Sequence, residues 1–289
     1  EANKLLQSGL TSEQLTTALK PIITSYGDIG EDFNGVAYAI KMIAPMLFGL
    51  MLYFMLLIYG QDISKSVSTE KTSKLMETLL TTIHPYALIT GKVLAISSMA
   101  ILQFFTWILS LFVSLYLGNA VAHNFYPSYQ NSVIGIINFL KDNIGESALT
   151  VPAVILSILA FFIGFLFYSV IAGLAGCMVS KPEDVASTQG LFQFPVIISW
   201  LVCYFAPFLG NTTLQTVVRY IPFTAPFSIP VDILTGTIGL VEGILTLILL
   251  TIFTVIVIFL SGRIYKGLIL YNGQKVNMKM IGNIISGKK

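Results

Sequence analysis

The chain has very little charge for its length. Only 10% of its 289 residues are Asp, Glu, Lys or Arg, whereas soluble domains carry about 25%. Hydrophobic residues make up 55% of the sequence, and the mean hydropathy is +0.82. This balance excludes an ordinary soluble domain and indicates a lipid bilayer as the surroundings. The net charge of +2 provides no basic field for nucleic acid.

Residues that build disulfides, metal sites and hydrolytic centres are scarce. Cys177 and Cys203 both fall within apolar runs, which argues against a disulfide framework. His84 and His123 have no neighbouring ligands at metal spacing, and no Ser, His and Asp arrangement indicates hydrolysis. We therefore predict no metal site and no catalytic residue, which disfavours an intramembrane hydrolase.

The chain does contain five apolar runs that are long enough to cross a bilayer as helices, which takes about 20 residues. They cover 42–60, 93–118, 151–179, 191–209 and 243–262. The runs are continuously apolar, without the period-two alternation of barrel strands. The sequence therefore predicts an all-α integral membrane protein with five transmembrane helices.

Basic residues collect in alternate connections between these runs. Most of the 16 Lys and Arg lie after the first, third and fifth runs, so the positive-inside rule makes the C-terminus, 271–289, a cytoplasmic tail. Residues 1–35 then lie outside the cell, as the end of an extracellular domain, and they contain no signal peptide. We therefore expect at least one more span upstream, and six or more spans in the full-length protein. The permease domain would cover 36–270.

A charged insert at 60–92 separates the first two runs. Glu70, Lys74 and Glu77 have the i, i+4 and i, i+3 spacing of helical ion pairs. The opposite face is an apolar stripe of Leu75, Met76, Leu79, Leu80 and Ile83. This pattern predicts a helix over about 67–83, which Pro85 prevents from continuing. Such a helix either engages a protein partner or lies on lipid, and periodicity alone does not decide between them.

Three prolines interrupt the apolar connection between the last two runs. Pro222, Pro226 and Pro230 break any long helix, so 213–238 is predicted to form short re-entrant helices. Irregular backbone at membrane depth must be covered by protein or line a cavity. We therefore expect an outer gate that includes Phe223 and Phe227, with a plain outer loop as the alternative.

Polar side chains within spans usually face the bundle or a pathway, because their burial in lipid is costly. The candidates for a substrate pathway are Gln103, Tyr168, Gln189, Gln193 and Glu242. Gln189 and Gln193 share one helix face. Glu242 needs a partner, solvent or a proton, and a position at the water boundary is its simpler interpretation.

Small residues recur at intervals of four within or beside the spans. The pairs are Ser169 with Gly173, Ala172 with Gly176, and Gly239 with Gly243. Residues of this size allow two helix backbones to approach closely. We interpret them as packing positions within one subunit.

Short motifs follow one another in a distinctive order along the chain. In the insert they comprise Gly60, Gln61, Val67, Glu70, Lys71, Glu77, Leu79, Leu80, Pro85, Gly91 and Lys92. Together with 180–195, 220–230 and 261–275, this order resembles the type-2 permease family of ATP-binding-cassette exporters, in its sodium-extrusion-like branch. The resemblance covers about 10–280. Asp232 departs from it, since many relatives have a basic residue there.

The resemblance implies a six-span permease with a large extracellular domain between its first two spans, in a bacterial or archaeal cell membrane. Two permease subunits, identical or different, would pair with two cytoplasmic ATPase subunits that bind ATP and Mg²⁺. The coupling helix would lie within 62–84, with Glu70, Lys71, Lys74, Glu77, Leu80 and Pro85 as coupling residues. The chain itself is expected to bind no cofactor, because its fragment of a phosphate-binding pattern at 282–288 lacks the following Ser or Thr.

The leading hypothesis is therefore the membrane subunit of an ATP-driven exporter. Its substrate would be sodium or a small amphipathic or peptide molecule, and a separate subunit would hydrolyse ATP. The alternative is a membrane scaffold or sensor that has a permease-like fold and signals to a cytoplasmic partner.

Overall fold

A computed structural model describes residues 35–73, 82–126, 129, 150–179, 184–210, 212–268 and 282–284. Apart from Gly35 they belong to one unit, Val36–Lys289. Within these ranges the regular structure is all helical, as predicted. The helices are α1 (Gly35–Thr72), α2 (Pro85–Phe125), α3 (Val151–Cys177), α4 (Val185–Thr188), α5 (Gly190–Phe205), a 3-10 turn (Pro207–Leu209), α6 (Thr212–Tyr220), α7 (Ala225–Leu234) and α8 (Leu240–Leu268).

Five stretches of the described chain are long and apolar enough to cross a membrane, which confirms the predicted number. They lie in α1, α2, α3, α5 with its following turn, and α8. At a rise of 1.5 Å per residue, the 27 residues of α3 extend over about 40 Å, more than the roughly 30 Å of a bilayer's hydrocarbon core.

Local signals set the starts of two spans. Pro85 is the first residue of α2, and the preceding His84 accepts a hydrogen bond from the Tyr86 amide at 3.4 Å. Helix α3 begins in the same way, with Thr150 accepting from the Ala153 amide at 3.4 Å. A side-chain acceptor at this position satisfies an amide that has no partner within the helix.

Helix α1 continues beyond the point at which its apolar run ends. The sequence predicted a span ending near Gly60 and a separate helix from about 67, but α1 runs without a break to Thr72. Ile63 and Val67 explain the difference, because both are buried in a cluster with α2, α3, α5 and α8. The extension is therefore stabilised by apolar burial. Residues 74–81 of the predicted helix lie outside the described residues.

Helix α3 contacts α2, α4, α5, α7 and α8. Near its end, Gly176 lies against Ser64 of α1, and near its start Leu156 lies against Gly243 of α8. The small-residue interpretation is confirmed at these two glycines, whereas a Cβ added at Gly239 would meet nothing within 4 Å.

Helices α1, α3 and α8 therefore run in one direction, while α2 and α5 run in the opposite one. We call the bundle end with the last turns of α1, α3 and α8 the Lys71 end, and the opposite end the Arg219 end.

Helices α6 and α7 take the place of one long helix at the Arg219 end. They meet at 115° across residues 221–224. Pro222 lies in this break, Pro226 is in the first turn of α7, and Pro230 lies inside α7. The prediction of short helices between the last two spans is therefore confirmed.

The contact between α1 and α3 should tolerate no side chain at Gly176. A Cβ atom there would lie 2.8 Å from the Ser64 Cα, and a backbone atom cannot rotate away. We expect Gly176→Ala to cost about 1–3 kcal/mol through overpacking, measured as a lower thermal midpoint in detergent. Gly91→Ala is the control, because its Cβ would meet nothing within 4 Å. Equal midpoints for both variants would contradict this packing.

Candidate functional site

Lys71 joins the ends of two spans. Its side chain is 2% exposed, and its Nζ donates hydrogen bonds to the carbonyl oxygens of Cys177 at 2.6 Å and Val179 at 3.2 Å. The last carbonyls of a helix have no partner within it and carry partial negative charge, so a lysine is favourable there. The sequence interpretation expected Lys71 to face a soluble partner. Instead its side chain points into the bundle and holds the end of α3.

Three further contacts strengthen this end. Ser64 Oγ donates to the Ala172 carbonyl at 2.5 Å, next to the close approach at Gly176. Lys92 of α2 forms an ion pair with Glu70 and donates to the Ser66 carbonyl at 3.0 Å. We call Ser64, Glu70, Lys71 and Lys92 the Lys71 cluster. It connects α1 to both α2 and α3.

The remaining predicted coupling residues are only partly located. Lys74, Glu77 and Leu80 lie outside the described residues. Pro85 is the first residue of α2. Among the candidates that the structure describes, Glu70 therefore is the charged residue with a partly exposed side chain, at 34%.

Arg219 lies at the opposite end of the bundle and is 8% exposed. Its Nε donates to Asp232 Oδ2 at 2.8 Å, and its Nη1 lies 3.6 Å from Glu242 Oε1. Ser228 Oγ donates to the same Asp232 oxygen at 2.6 Å. We call Arg219, Ser228, Asp232 and Glu242 the Arg219 cluster. It connects α6, α7 and α8.

The position of Arg219 in the sequence is a signal from which this cluster could have been predicted. Arg219 is the only basic residue between the fourth and fifth apolar runs, and Glu242 is a carboxylate that needs a partner. Asp232, which departs from the family pattern, has a local role here, because its carboxylate neutralises Arg219. A buried guanidinium without a paired carboxylate would be strongly destabilising.

Tyr168 lies between the two ends, in the middle of α3. It is fully buried, and its hydroxyl donates to the Phe223 carbonyl at 2.6 Å and lies 3.0 Å from Ser199 Oγ. Phe223 belongs to the break between α6 and α7, and the Tyr168 hydroxyl gives its carbonyl a hydrogen-bond donor. Tyr168 thus provides the protein partner that irregular backbone needs at membrane depth.

The predicted gate residues differ in their surroundings. Phe227 is fully buried, and its ring centroid lies 5.9 Å from that of Tyr168. Pro226 packs against Gly164 of α3, where a Cβ would lie 2.5 Å from the proline ring. Phe223 is 40% exposed. Phe227 and Pro226 therefore belong to the packed interior, and Phe223 is the gate candidate with an accessible face.

The predicted pathway residues do not form one site. Gln103 is exposed and accepts a hydrogen bond from Tyr59. Gln189 and Gln193 are joined by a hydrogen bond of 3.2 Å at the Lys71 end, whereas Glu242 belongs to the Arg219 cluster. Among these candidates, Tyr168 is the one that contacts the predicted gate residues Phe223 and Phe227.

A groove of about 460 Å³ runs between α5 and the break. Its walls consist of Phe194, Pro195, Ile198, Ser199, Ile221, Phe223 and Thr224. This surface is almost entirely apolar, because the buried hydroxyls of Ser199 and Thr224 are hydrogen-bonded to Tyr168 and to the Val218 carbonyl. Among the described residues, no group of three or more His, Cys, Asp or Glu is placed to hold a metal ion. The groove therefore suits an apolar or amphipathic molecule.

Five apolar spans and a broken helix pair define a multi-pass, all-helical membrane protein. The chain belongs to the ABC-2 family of transporter proteins, whose family model matches residues 2–263. Proteins of this family are membrane subunits that generally pair with a cytoplasmic ATPase.

Two curated proteins are similar along nearly the whole chain. The uncharacterized protein YhaP of Bacillus subtilis (strain 168) is 25% identical over 94% of this chain and 62% of its own length. The uncharacterized protein MJ1024 of Methanocaldococcus jannaschii is 24% identical over 99% of this chain and 64% of its own length. The chain thus spans less than two thirds of these relatives. No solved structure matches it.

Replacing Lys71 tests the junction at the Lys71 end. Lys71→Met keeps the length of the side chain but removes the charged donor for two carbonyls, which should cost about 2–3 kcal/mol. Thermal unfolding in detergent measures the loss. Lys65→Met is the matched control, because Lys65 is exposed on the same helix, and its effect should stay within about 0.5 kcal/mol. Similar losses for both variants would show that the junction is not stabilising.

Proposed function

We propose that this chain is the membrane subunit of an ATP-driven exporter, with the Lys71 end as the site where a separate ATPase acts. Membership of the ABC-2 family supports the transporter class. The observation that carries the coupling proposal is the unbroken course of α1 from its apolar span to Thr72. A partner that moves the chain just beyond Thr72 would move a rigid element that continues into the bundle.

The Lys71 cluster supports the transmission of such a movement. Lys71 and Ser64 attach the last turns of α1 to α3, and Glu70 attaches them to α2 through Lys92. Packed helices with such contacts move together rather than bending separately. A displacement of α1 would therefore carry α2 and α3 with it.

Charge supports a cytoplasmic position for the Lys71 end. Lys65, Arg263 and Lys266 are all exposed there, while Arg219 at the opposite end is buried beside carboxylates. Basic residues favour the cytoplasmic side of a membrane protein. We accordingly place ATP and Mg²⁺ on a cytoplasmic partner and a second permease subunit beside this one in the cell membrane.

The groove beside α5 supports a small amphipathic substrate or peptide over bare sodium. Its walls are apolar like those of most ligand sites, and the hydroxyls of Ser199 and Thr224 beneath them are hydrogen-bonded within the protein. A sodium site would need several converging oxygen ligands. We therefore propose that substrate passes along α5 and Phe223.

Purification of the protein from its native membrane in mild detergent tests the exporter class. We expect a stoichiometric ATPase that contains a phosphate-binding loop, together with vanadate-sensitive ATP turnover. Apolar peptides and amphipathic drugs should stimulate this turnover more than sodium does. Recovery of a signalling partner without any ATPase would instead favour a scaffold or sensor.

The rigidity of α1 yields a sharper test. Gln61 and Lys65 are exposed and lie one turn apart, so changes there leave the buried face intact. Replacing both with Gly should weaken the helix by about 2 kcal/mol relative to replacing both with Ala. We expect the Gly pair to lose most substrate stimulation of ATP turnover, with assembly retained and the Ala pair unaffected. Equal stimulation in the two variants would contradict transmission through α1.

A further inference from the structure

We propose that the end of α8 and the basic residues after it form a binding surface for the headgroups of anionic phospholipids. The surface consists of Arg263 and Lys266 together with the lysines that follow α8 in the sequence, and we call it the Arg263 surface. Its partner is the lipid of the membrane leaflet at the Lys71 end. The inference goes beyond the proposed export function, because it needs neither an ATPase nor a substrate.

The charge of this part of the chain has a single sign. Residues 243–289 contain six Lys and Arg and no Asp or Glu. Two of the six, Arg263 and Lys266, belong to α8, and neither forms an ion pair with another described residue. The other four follow α8 and are Lys275, Lys279, Lys288 and Lys289. A cluster of four or more basic residues beside the cytoplasmic end of a span is typical of a surface that binds anionic lipid.

The face of α8 that carries Arg263 and Lys266 is the one that contacts lipid. The side chains that precede them on this face, at intervals of three or four residues, are apolar and exposed: Ile252, Ile256 and Phe259. The opposite face packs into the bundle through the buried side chains of Ile264 and Tyr265. The two basic side chains therefore lie in line with the lipid-facing surface of the helix, where a phospholipid headgroup can reach them.

The level of Arg263 along α8 matches the level of the headgroups. At 1.5 Å per residue, Glu242 and Arg263 lie about 32 Å apart along the helix axis, close to the roughly 30 Å of a bilayer's hydrocarbon core. With Glu242 at one water boundary, Arg263 reaches the other, and Lys266 lies almost one turn further out. Long basic side chains at such a boundary extend into the headgroup layer.

A contact beyond α8 keeps further positive charge close to this surface. Ile284 lies against Gly267, where an added Cβ would be 2.7 Å from the Ile284 side chain, and it packs on the apolar cluster at the Lys71 end. Gly267 follows Lys266 directly. Because consecutive Cα atoms are about 3.8 Å apart, the Cα atom of Lys288 lies within about 15 Å of that of Ile284. The contact therefore keeps Lys288 and Lys289 within reach of the same leaflet.

Titration of the purified chain with lipid, in an uncharged mild detergent, tests the Arg263 surface. Dioleoylphosphatidylglycerol is the anionic probe, and dioleoylphosphatidylcholine is the zwitterionic control. A ligand that binds the folded state raises the thermal midpoint, so phosphatidylglycerol should raise it and phosphatidylcholine should leave it nearly unchanged. Replacing Arg263 and Lys266 together with Gln should weaken the apparent affinity for phosphatidylglycerol about tenfold or more, because two charges that attract the headgroups are removed.

The double variant Arg263→Lys with Lys266→Arg is the matched control, because it keeps both charges and should bind phosphatidylglycerol as the natural protein does. All three proteins should unfold at the same temperature in phosphatidylcholine, since the replaced side chains are exposed. The proposal is overturned if the Gln pair binds phosphatidylglycerol like the natural protein, or if soluble glycerol phosphate displaces the lipid at equal concentration.

Unchanged lipid binding by the Gln pair, together with reduced recovery of an ATPase from native membranes, would overturn the proposal and assign the surface to a protein partner. The titration itself contains no ATPase. Failure of the lipid surface and failure of the exporter proposal are therefore told apart.

Discussion

Backbone carbonyls that no helix can satisfy are the constraint on which this structure depends. In lipid each such group needs a donor from elsewhere in the protein. The end of α3 receives one from Lys71, and the break between α6 and α7 receives one from Tyr168. Both donors are buried, and both connect segments that are far apart in sequence. The same contacts that satisfy the backbone therefore decide which helices are joined.

The two charged clusters join helices in different ways. At the Lys71 end, the donors join the last turns of α1 and α3 to the first turns of α2, and a close approach at Gly176 makes the contact rigid. At the Arg219 end, one guanidinium faces two carboxylates, of which Asp232 is shielded and Glu242 is partly open to solvent. Between them lies an aromatic core that includes Phe161, Phe165 and Tyr168. The Arg219 end is also joined by apolar packing, since Ile233 of α7 lies against Gly243 of α8.

Hydropathy was sufficient to predict the five spans, because continuous apolar runs leave few alternatives. Proline spacing was sufficient for the short helices before α8. The course of α1 was not predicted, since Ile63 and Val67 look isolated in a polar insert until tertiary packing buries them. The Lys71 side chain points inward because it donates to carbonyls at the end of α3, which lie more than a hundred positions away along the chain. Arg219 was overlooked for a similar reason, because the break in the backbone brings it back to Asp232 and Glu242.

The burial of Lys71 restricts how nucleotide-driven movement can reach the substrate path under the proposed function. A lysine that faced a soluble partner would allow α1 to tilt alone. Because Lys71 is bonded to the end of α3, tilting α1 alone would leave two carbonyls without donors in a poorly hydrated place, which is costly. The less costly movement carries α1 and α3 together. Tyr168 on α3 would then pull on the Phe223 carbonyl, so the break between α6 and α7 is where the movement would meet the groove.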